Sequence, residues 1–153
     1  MNKASLFIIF CTLLLSSFSQ PWRQLPLNPT GTYILKGENH RGEIKGNFAE
    51  IRIKLLSDSL IALSLYSNKG YPEYTSGSFT DTLKYLDNKA IHHSKLDNDC
   101  SIAFDFVIDG LRIKQIYSDP TSTCGFGKGV LPLGFIGKYS SDTPVIQYIT
   151  RLR

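Results

Sequence analysis

Apolar and polar residues alternate along much of the chain, in short runs that turn residues interrupt. Between residues 48 and 56, Ile51, Ile53 and Leu55 face one way, and charged residues separate them. Residues 60–66 and 100–108 repeat this period, with inward rows made of Ile61, Leu63, Leu65, Ile102, Phe104, Phe106 and Ile108. A two-residue period is typical of strands with one buried face, so the chain is predicted to consist mainly of β-strands.

Turn residues divide these runs at close intervals. Asp87-Asn88 and Asp109-Gly110 each stand between two alternating runs and predict hairpin turns. The predicted strands are 31–36, 48–56, 60–66, 79–86, 89–93, 100–108, 111–117 and 134–139, while residues 145–152 either pair or trail away. This pattern predicts an all-β fold, either a small antiparallel eight-stranded barrel or a sandwich. The barrel is favoured because closure leaves no strand edge exposed.

The first 19 residues have the pattern of an export signal peptide. Lys3 provides a positive start, residues 6–15 are apolar, and Ser17 and Ser19 place small residues before a cleavage at Gln20. The apolar run is too short to span a membrane. We therefore expect an exported protein, periplasmic or secreted, with no membrane span in the mature chain. Residues 20–30 form a Pro-rich lead-in, and residues 31–153 form a single β-barrel domain.

Cleavage of the signal removes Cys11 and leaves two cysteines, Cys100 and Cys124. Two cysteines in an exported chain most simply form one disulfide. Their spacing and the scarcity of nearby histidines do not match a zinc site, and a paired thiol cannot act as a nucleophile. On the loop-entropy model, a bridge closing a loop of about 25 residues stabilises the domain by roughly 3.5 kcal/mol.

The positive charge of the chain is small and dispersed. The formal net charge is +4, and loss of Lys3 with the signal lowers it by one, to +3. The basic residues Arg41, Lys45, Arg52 and Lys54 are interleaved with Glu38, Glu43 and Glu50. Nucleic-acid binding requires a basic surface of one sign, so no nucleic-acid partner is expected.

The glycine cluster at residues 124–130 (CGFGKGV) is the closest approach to a functional motif. A Walker loop needs Ser or Thr after the lysine, but Gly129 follows Lys128. We interpret the glycines as residues that permit positive φ in a tight loop, with Phe126 closing the barrel end. The alternative is a loop that presents Lys128 to a partner.

The remaining candidates for catalysis or metal binding are incomplete. His92 and His93 are adjacent on a strand and point to opposite faces, so they cannot share a metal ion, and one is expected to pack while the other is exposed. Asp97 and Asp99 lack the glycine and glutamate that complete a calcium loop. We expect a protein that is not an enzyme and that has no metal site and no cofactor.

The segment 66–79 (YSNKGYPEYTSGSF) combines aromatic and small polar residues. Tyr71, Tyr74 and Phe79 lie among Gly, Pro and Ser, a composition suited to rigid contact surfaces. The composition supports two interpretations equally: the segment is a loop that binds a partner, or its tyrosines cover one mouth of the barrel.

Three features stand together near the C-terminus: a strand with Cys100-x-Ile102-x-Phe104, a Cys-Gly-Phe-Gly loop that starts at Cys124, and a strand from Gly134 to Tyr139. This combination resembles a group of exported bacterial β-barrel proteins of unknown function. The resemblance is good over residues 100–139, looser over 31–139, and implies a calycin-like barrel.

Residues 74–79 (YTSGSF) have a weaker likeness, to the Ser-Gly loop of bacterial lysozyme inhibitors. Those inhibitors are eight-stranded exported barrels that insert this loop into the lysozyme cleft. The likeness implies that Ser76 and Gly77, flanked by Tyr74, contact the acidic catalytic groups of a lysozyme. Lys69 or Lys128 would add charge complementarity.

Together these patterns lead us to expect an exported non-enzymatic binding protein. Its most concrete form is lysozyme-inhibitor-like, with a lysozyme or another extracytoplasmic protein as partner. One alternative is a barrel that encloses a small apolar ligand, although the large inward residues predict a filled interior. The other is a structural envelope protein with no ligand.

Overall fold

The computed structural model describes residues 25–146, which form ten β-strands and no α-helix. The strands are β1 (Gly31–Leu35), β2 (Glu38–His40), β3 (Glu43–Lys45), β4 (Phe48–Ser57), β5 (Leu60–Asn68), β6 (Ser76–Lys84), β7 (Lys89–His93), β8 (Cys100–Val107), β9 (Gly110–Tyr117) and β10 (Gly134–Ser140). Within these residues no helix is long and apolar enough to cross a membrane. The predicted export signal at 1–19 and most of the segment 145–152 lie outside the described residues.

Eight of the strands form one antiparallel sheet in the order β6-β5-β4-β1-β10-β9-β8-β7. The sheet curls until its two end strands, β6 and β7, approach each other, which confirms the predicted eight-stranded barrel. No ladder joins β6 to β7, however, so the barrel is nearly closed instead of fully closed. We call the gap between these two strands the seam.

The barrel interior is filled by the apolar rows that the alternation predicts. The fully buried members of these rows are Ile51, Ile53, Ile61, Leu63, Leu65, Ile102 and Phe104. Tyr33 of β1 and Ile136 of β10 complete the same cluster. Because large side chains occupy the interior, burial of apolar surface is the main source of the fold's stability.

The structure corrects the turn predicted at Asp109-Gly110. The two turn residues are Ile108 and Asp109, while Gly110 pairs with Val107 inside the ladder. Ile108 is therefore 82% exposed at the tip of the turn instead of buried. Gly110 is required by close packing, since a Cβ there would lie 2.4 Å from the backbone oxygen of Ile136 on β10.

Two further elements differ from the sequence-based prediction. The hairpin β2–β3 was not predicted because its residues are exposed and all but Ile44 are polar, and its turn is formed by Arg41 and Gly42, both with positive φ. Strand β6 begins at Ser76, three residues before the predicted start at Phe79, and it pairs with β5 from Asn68 onward. Tertiary pairing thus extends a strand through residues with low intrinsic β-propensity.

The predicted disulfide between Cys100 and Cys124 is present, with a Cα–Cα distance of 5.0 Å. It joins the first residue of β8 to the glycine loop. Both cysteines are buried within the core cluster. The bridge therefore anchors an irregular loop against the most regular part of the sheet.

The described part of the Pro-rich lead-in packs against the barrel beside the turn between β6 and β7. Asn88 in that turn accepts a hydrogen bond from the Leu27 backbone N–H at 2.8 Å and donates one to the Leu25 carbonyl at 3.1 Å. The hydroxyl of Tyr85 donates to the Leu27 carbonyl at 2.7 Å. Since β6 runs from Ser76 to Lys84, these contacts lie at the opposite end of the barrel from Ser76.

Candidate functional site

Two loops meet at the barrel end where β6 begins: residues 69–75, between β5 and β6, and residues 124–129 of the glycine cluster. We call their outer side the end surface. Asn68 organises the first loop, since its amide donates to the Tyr74 carbonyl at 3.0 Å and its side-chain oxygen accepts from the Gly70 N–H at 2.7 Å. The Lys69 N–H donates to the Thr75 carbonyl at 2.9 Å. These bonds give the loop a single defined conformation.

The conformation of the glycine loop depends on the φ angles of its glycines and on contacts with the start of β6 and the residue before it. Gly125 and Gly129 have positive φ, as predicted, whereas Gly127 does not. Position 127 requires a glycine for a different reason, since Thr75 packs against it. A Cβ at Gly127 would lie 2.7 Å from Thr75 Cγ2. Phe126 is buried and closes this end of the barrel. The structural interpretation of the cluster is therefore confirmed for the loop as a whole.

The two loops that carry the predicted contact residues Lys69, Tyr74 and Lys128 meet at the end surface. Lys128 stands between Gly127, which contacts Thr75, and Gly129, which lies against the Lys69 side chain. The ammonium group of Lys69 is bound by both carboxylate oxygens of Glu73, at 2.8 and 2.6 Å. Lys128 is exposed and forms no ion pair within residues 25–146, so it is the predicted cation with a free charge.

Ser76 and Gly77 occupy a different setting from the one the Ser-Gly likeness implies. Both belong to strand β6, where they pair with Asn68 and Ser67 of β5, and not to the preceding loop. The Ser76 side chain is exposed beside the end surface. Gly77 lies against the ring of Phe126 and is needed for packing.

The two loop tyrosines form an exposed aromatic pair. Tyr71 and Tyr74 are 44% and 51% exposed, and their rings meet edge to face with centroids 6.2 Å apart. The Lys45 ammonium lies 5.9 Å from the centroid of the Tyr71 ring, which adds a cation–π contact from the β2–β3 hairpin. About half of each tyrosine side chain is therefore available to a partner at the surface.

A cavity of about 360 Å³ borders the end surface on the side of β9. Its lining includes Thr121, Ser122, Lys128, Leu131 and the exposed Tyr117. The position of Ser122 is fixed by a hydrogen bond that its hydroxyl donates to the carboxylate of Asp97. Asp97 also accepts the backbone N–H groups of Thr123 and Cys124 at 3.1 and 3.2 Å.

These contacts lower the pKa of Asp97, with the Ser122 hydroxyl as the largest cause and backbone N–H groups adding to it. The carboxylate is therefore ionised over the physiological range, and it fixes the wall of the cavity. The cavity combines one free cation with apolar and hydroxyl groups. That chemistry can accept an acidic side chain of a partner.

A partly buried His92–Asp81 pair lies at the seam and is not predicted by the sequence pattern. His92 packs and His93 is exposed, as expected from their alternation, but the partner of His92 came from β6. His92 Nδ1 lies 2.9 Å from Asp81 Oδ2, and its ring stacks on Phe79 with centroids 3.9 Å apart. Burial lowers the pKa of His92, and attraction to Asp81 opposes this effect.

The described residues contain no group of three or more His, Cys, Asp or Glu side chains placed to hold a metal ion. His40 lies on the exposed strand β2.

Comparison with protein-family models, curated proteins and solved structures finds no match to this chain. Inferences about function therefore rest on the geometry of the chain itself.

Proposed function

We propose that the protein is an exported, non-enzymatic binding protein that engages another extracytoplasmic protein through the end surface. Its most concrete partner is a lysozyme. The observation that carries the proposal is the contact between two loops, one with Tyr74 and the Lys69–Glu73 pair and the other with Lys128. The apolar–polar pattern of strands β5 and β6 does not by itself predict that these two loops meet.

The end surface has the physical properties of a preorganised contact site. Its loops are fixed by internal hydrogen bonds and by the disulfide at Cys124, so little conformational entropy is lost when a partner binds. Tyr71 and Tyr74 offer large contact area on side chains with few rotatable bonds. A surface of this kind gains affinity from rigidity more than from area.

The charge of the end surface favours an acidic partner. Lys128 is free to pair with a carboxylate, and the adjacent cavity has room for the side chain that carries it. Lysozymes belong to the glycoside hydrolases, whose cleft contains a pair of carboxyl groups on either side of the scissile bond. Lys128, the exposed hydroxyl of Ser76 and the tyrosines are therefore suited to contact such a cleft.

The test is a titration of the mature chain against c-, g- and i-type lysozymes, with cell-wall lysis as the readout. We expect slower lysis at micromolar concentrations and its loss in the double variant Tyr74→Asn/Lys128→Glu. Asn is chosen because it tolerates the positive φ of Tyr74. The matched control is Tyr139→Ala/Lys54→Glu, which changes the same charge on exposed positions away from the end surface.

Unaltered lysis with all three lysozyme types would remove lysozyme as the partner. A pull-down from cell envelope and extracellular fluid, comparing the wild type with the same two double variants, would then test the broader proposal. Capture by the wild type and the control but not by the end-surface variant supports it. The filled interior favours an external partner over an enclosed apolar ligand. A structural envelope protein would show no difference between the variants.

A further inference from the structure

The seam is a break in the hydrogen bonding of the barrel. Strand β6 pairs only with β5, and β7 pairs only with β8, although a short turn connects β6 directly to β7. Leu86 and Lys89, on either side of the turn, exchange backbone hydrogen bonds at 3.0 and 2.9 Å. Beyond that point no ladder joins β6 to β7. In antiparallel strands alternate backbone groups point sideways, so both edges direct N–H and C=O groups into the seam.

Side chains close the inner side of the seam and leave its outer side open. His92 fills the gap by stacking on Phe79 and pairing with Asp81. Outside this plug, a furrow of about 630 Å³ follows the two strands. Its lining includes the exposed apolar side chains of Leu86 and Ile91. The furrow is thus bordered by strand edges along its length.

The furrow is positively charged. Lys84, Lys89 and Lys95 line it, are exposed, and form no ion pair within residues 25–146. The one acidic side chain in the lining, Asp81, pairs with His92, and the lysines outnumber it three to one. This excess of positive charge around an apolar strip matches a ligand that carries negative charges beside apolar groups.

We propose that the seam binds an extended acidic segment of a partner protein, which lies in the furrow as an added β-strand. The strand edges of β6 or β7 supply main-chain hydrogen bonds, and the furrow residues Leu86 and Ile91 contact its apolar side chains. The three lysines pair with its carboxylates. A compact anion would use the lysines alone and leave the strand edges and the apolar strip unused. This site lies along the barrel wall and is distinct from the end surface.

The experiment uses the mature chain, isotope-labelled for NMR, and a synthetic peptide of alternating Glu and Val. We expect saturable binding with amide shifts concentrated in 81–95 and slower hydrogen exchange of edge amides in β6 or β7. The variant Lys84→Glu/Lys89→Glu should weaken binding about tenfold or more, because it replaces attraction by repulsion. The matched control Lys36→Glu/Lys54→Glu has the same net charge and should bind like the wild type.

Two further probes separate strand addition from simple charge attraction. A peptide in which proline replaces alternate valines lacks the main-chain N–H at those positions and cannot form a continuous ladder, so it should lose binding. Inorganic polyphosphate should not reproduce the protection of edge amides. The proposal is overturned if the proline peptide binds equally, if polyphosphate gives the same protection, if the shifts map outside 81–95, or if no peptide binds. Failure of lysozyme binding at the end surface has no bearing on these outcomes.

Discussion

Gly77 of strand β6 lies directly against the ring of Phe126 from the glycine loop. A Cβ at Gly77 would be 2.3 Å from Phe126 Cδ1, closer than real carbon atoms approach. This contact ties the end surface to the sheet, because Phe126 is also in edge contact with Phe79, with centroids 6.2 Å apart. The glycine that sequence likeness associates with a binding loop thus has a packing role.

The first prediction concerns that contact. Gly77→Ala should lower the free energy of unfolding by about 1–3 kcal/mol, since the added methyl displaces the buried ring. Gly137→Ala in β10 is the matched control, because a Cβ at Gly137 has no atom within 4 Å. Chemical denaturation of both variants gives the comparison. Equal stability of the two variants would contradict the packing role of Gly77.

The second prediction concerns the disulfide. Replacing both Cys100 and Cys124 by alanine should cost roughly 3–4 kcal/mol in unfolding free energy, because the unfolded chain regains the freedom of the closed loop. Reduction of the wild-type protein should reproduce most of this loss, whereas a reductant should leave the double variant unchanged. A variant as stable as the oxidised wild type would show that the bridge does not constrain the unfolded chain.

The third prediction concerns pH. Burial lowers the pKa of His92 in the folded state, whereas in the unfolded chain this pKa has its ordinary value of about 6.5. As the pH falls below about 6.5, the unfolded chain therefore binds more protons than the folded protein. Stability should therefore decrease as pH falls from about 6.5 through the folded-state pKa, with Asp81 moderating the decrease and Lys95 adding to it.

His92→Phe should flatten this decline, since the ring still stacks on Phe79 but no longer titrates. His93→Gln, at the exposed neighbouring position, is the control and should keep the wild-type slope. The measurement is chemical denaturation at a series of pH values between about 7.5 and 5, above the range in which ordinary carboxylates protonate. An unchanged slope in His92→Phe would assign the pH dependence to another group.

The fourth prediction concerns the lead-in. Asn88→Gly keeps the positive φ of the turn but removes the hydrogen bonds to Leu25, Leu27 and Tyr85, so stability should fall by about 1–3 kcal/mol. Asp87→Gly is the matched control, since Asp87 also has positive φ and its side chain is exposed. Hydrogen exchange at the Leu27 amide should accelerate in Asn88→Gly alone. Equal exchange in both variants would show that Asn88 does not hold the lead-in.

The turns show why a local pattern can locate a strand and still misassign the residues at its ends. Asp87-Asn88 was predicted and is found, because both residues adopt positive φ more readily than others. Gly110 was assigned to a turn, yet it lies in the ladder where β10 approaches closely. Glycine marks both situations, and only the neighbouring strand distinguishes them. The same ambiguity placed Ser76 and Gly77 in a loop.

The sequence by itself determined the eight strands of the barrel, most of the buried rows and the disulfide, because each depends on side-chain alternation or on the pairing of two remaining cysteines. Only the tertiary structure decided that no ladder joins β6 to β7, that His92 meets Asp81 across the seam, and that the glycine loop meets the loop of Lys69. These relationships join residues from different strands and loops. They depend on how far the sheet curls and on how the loops pack, which no local pattern specifies.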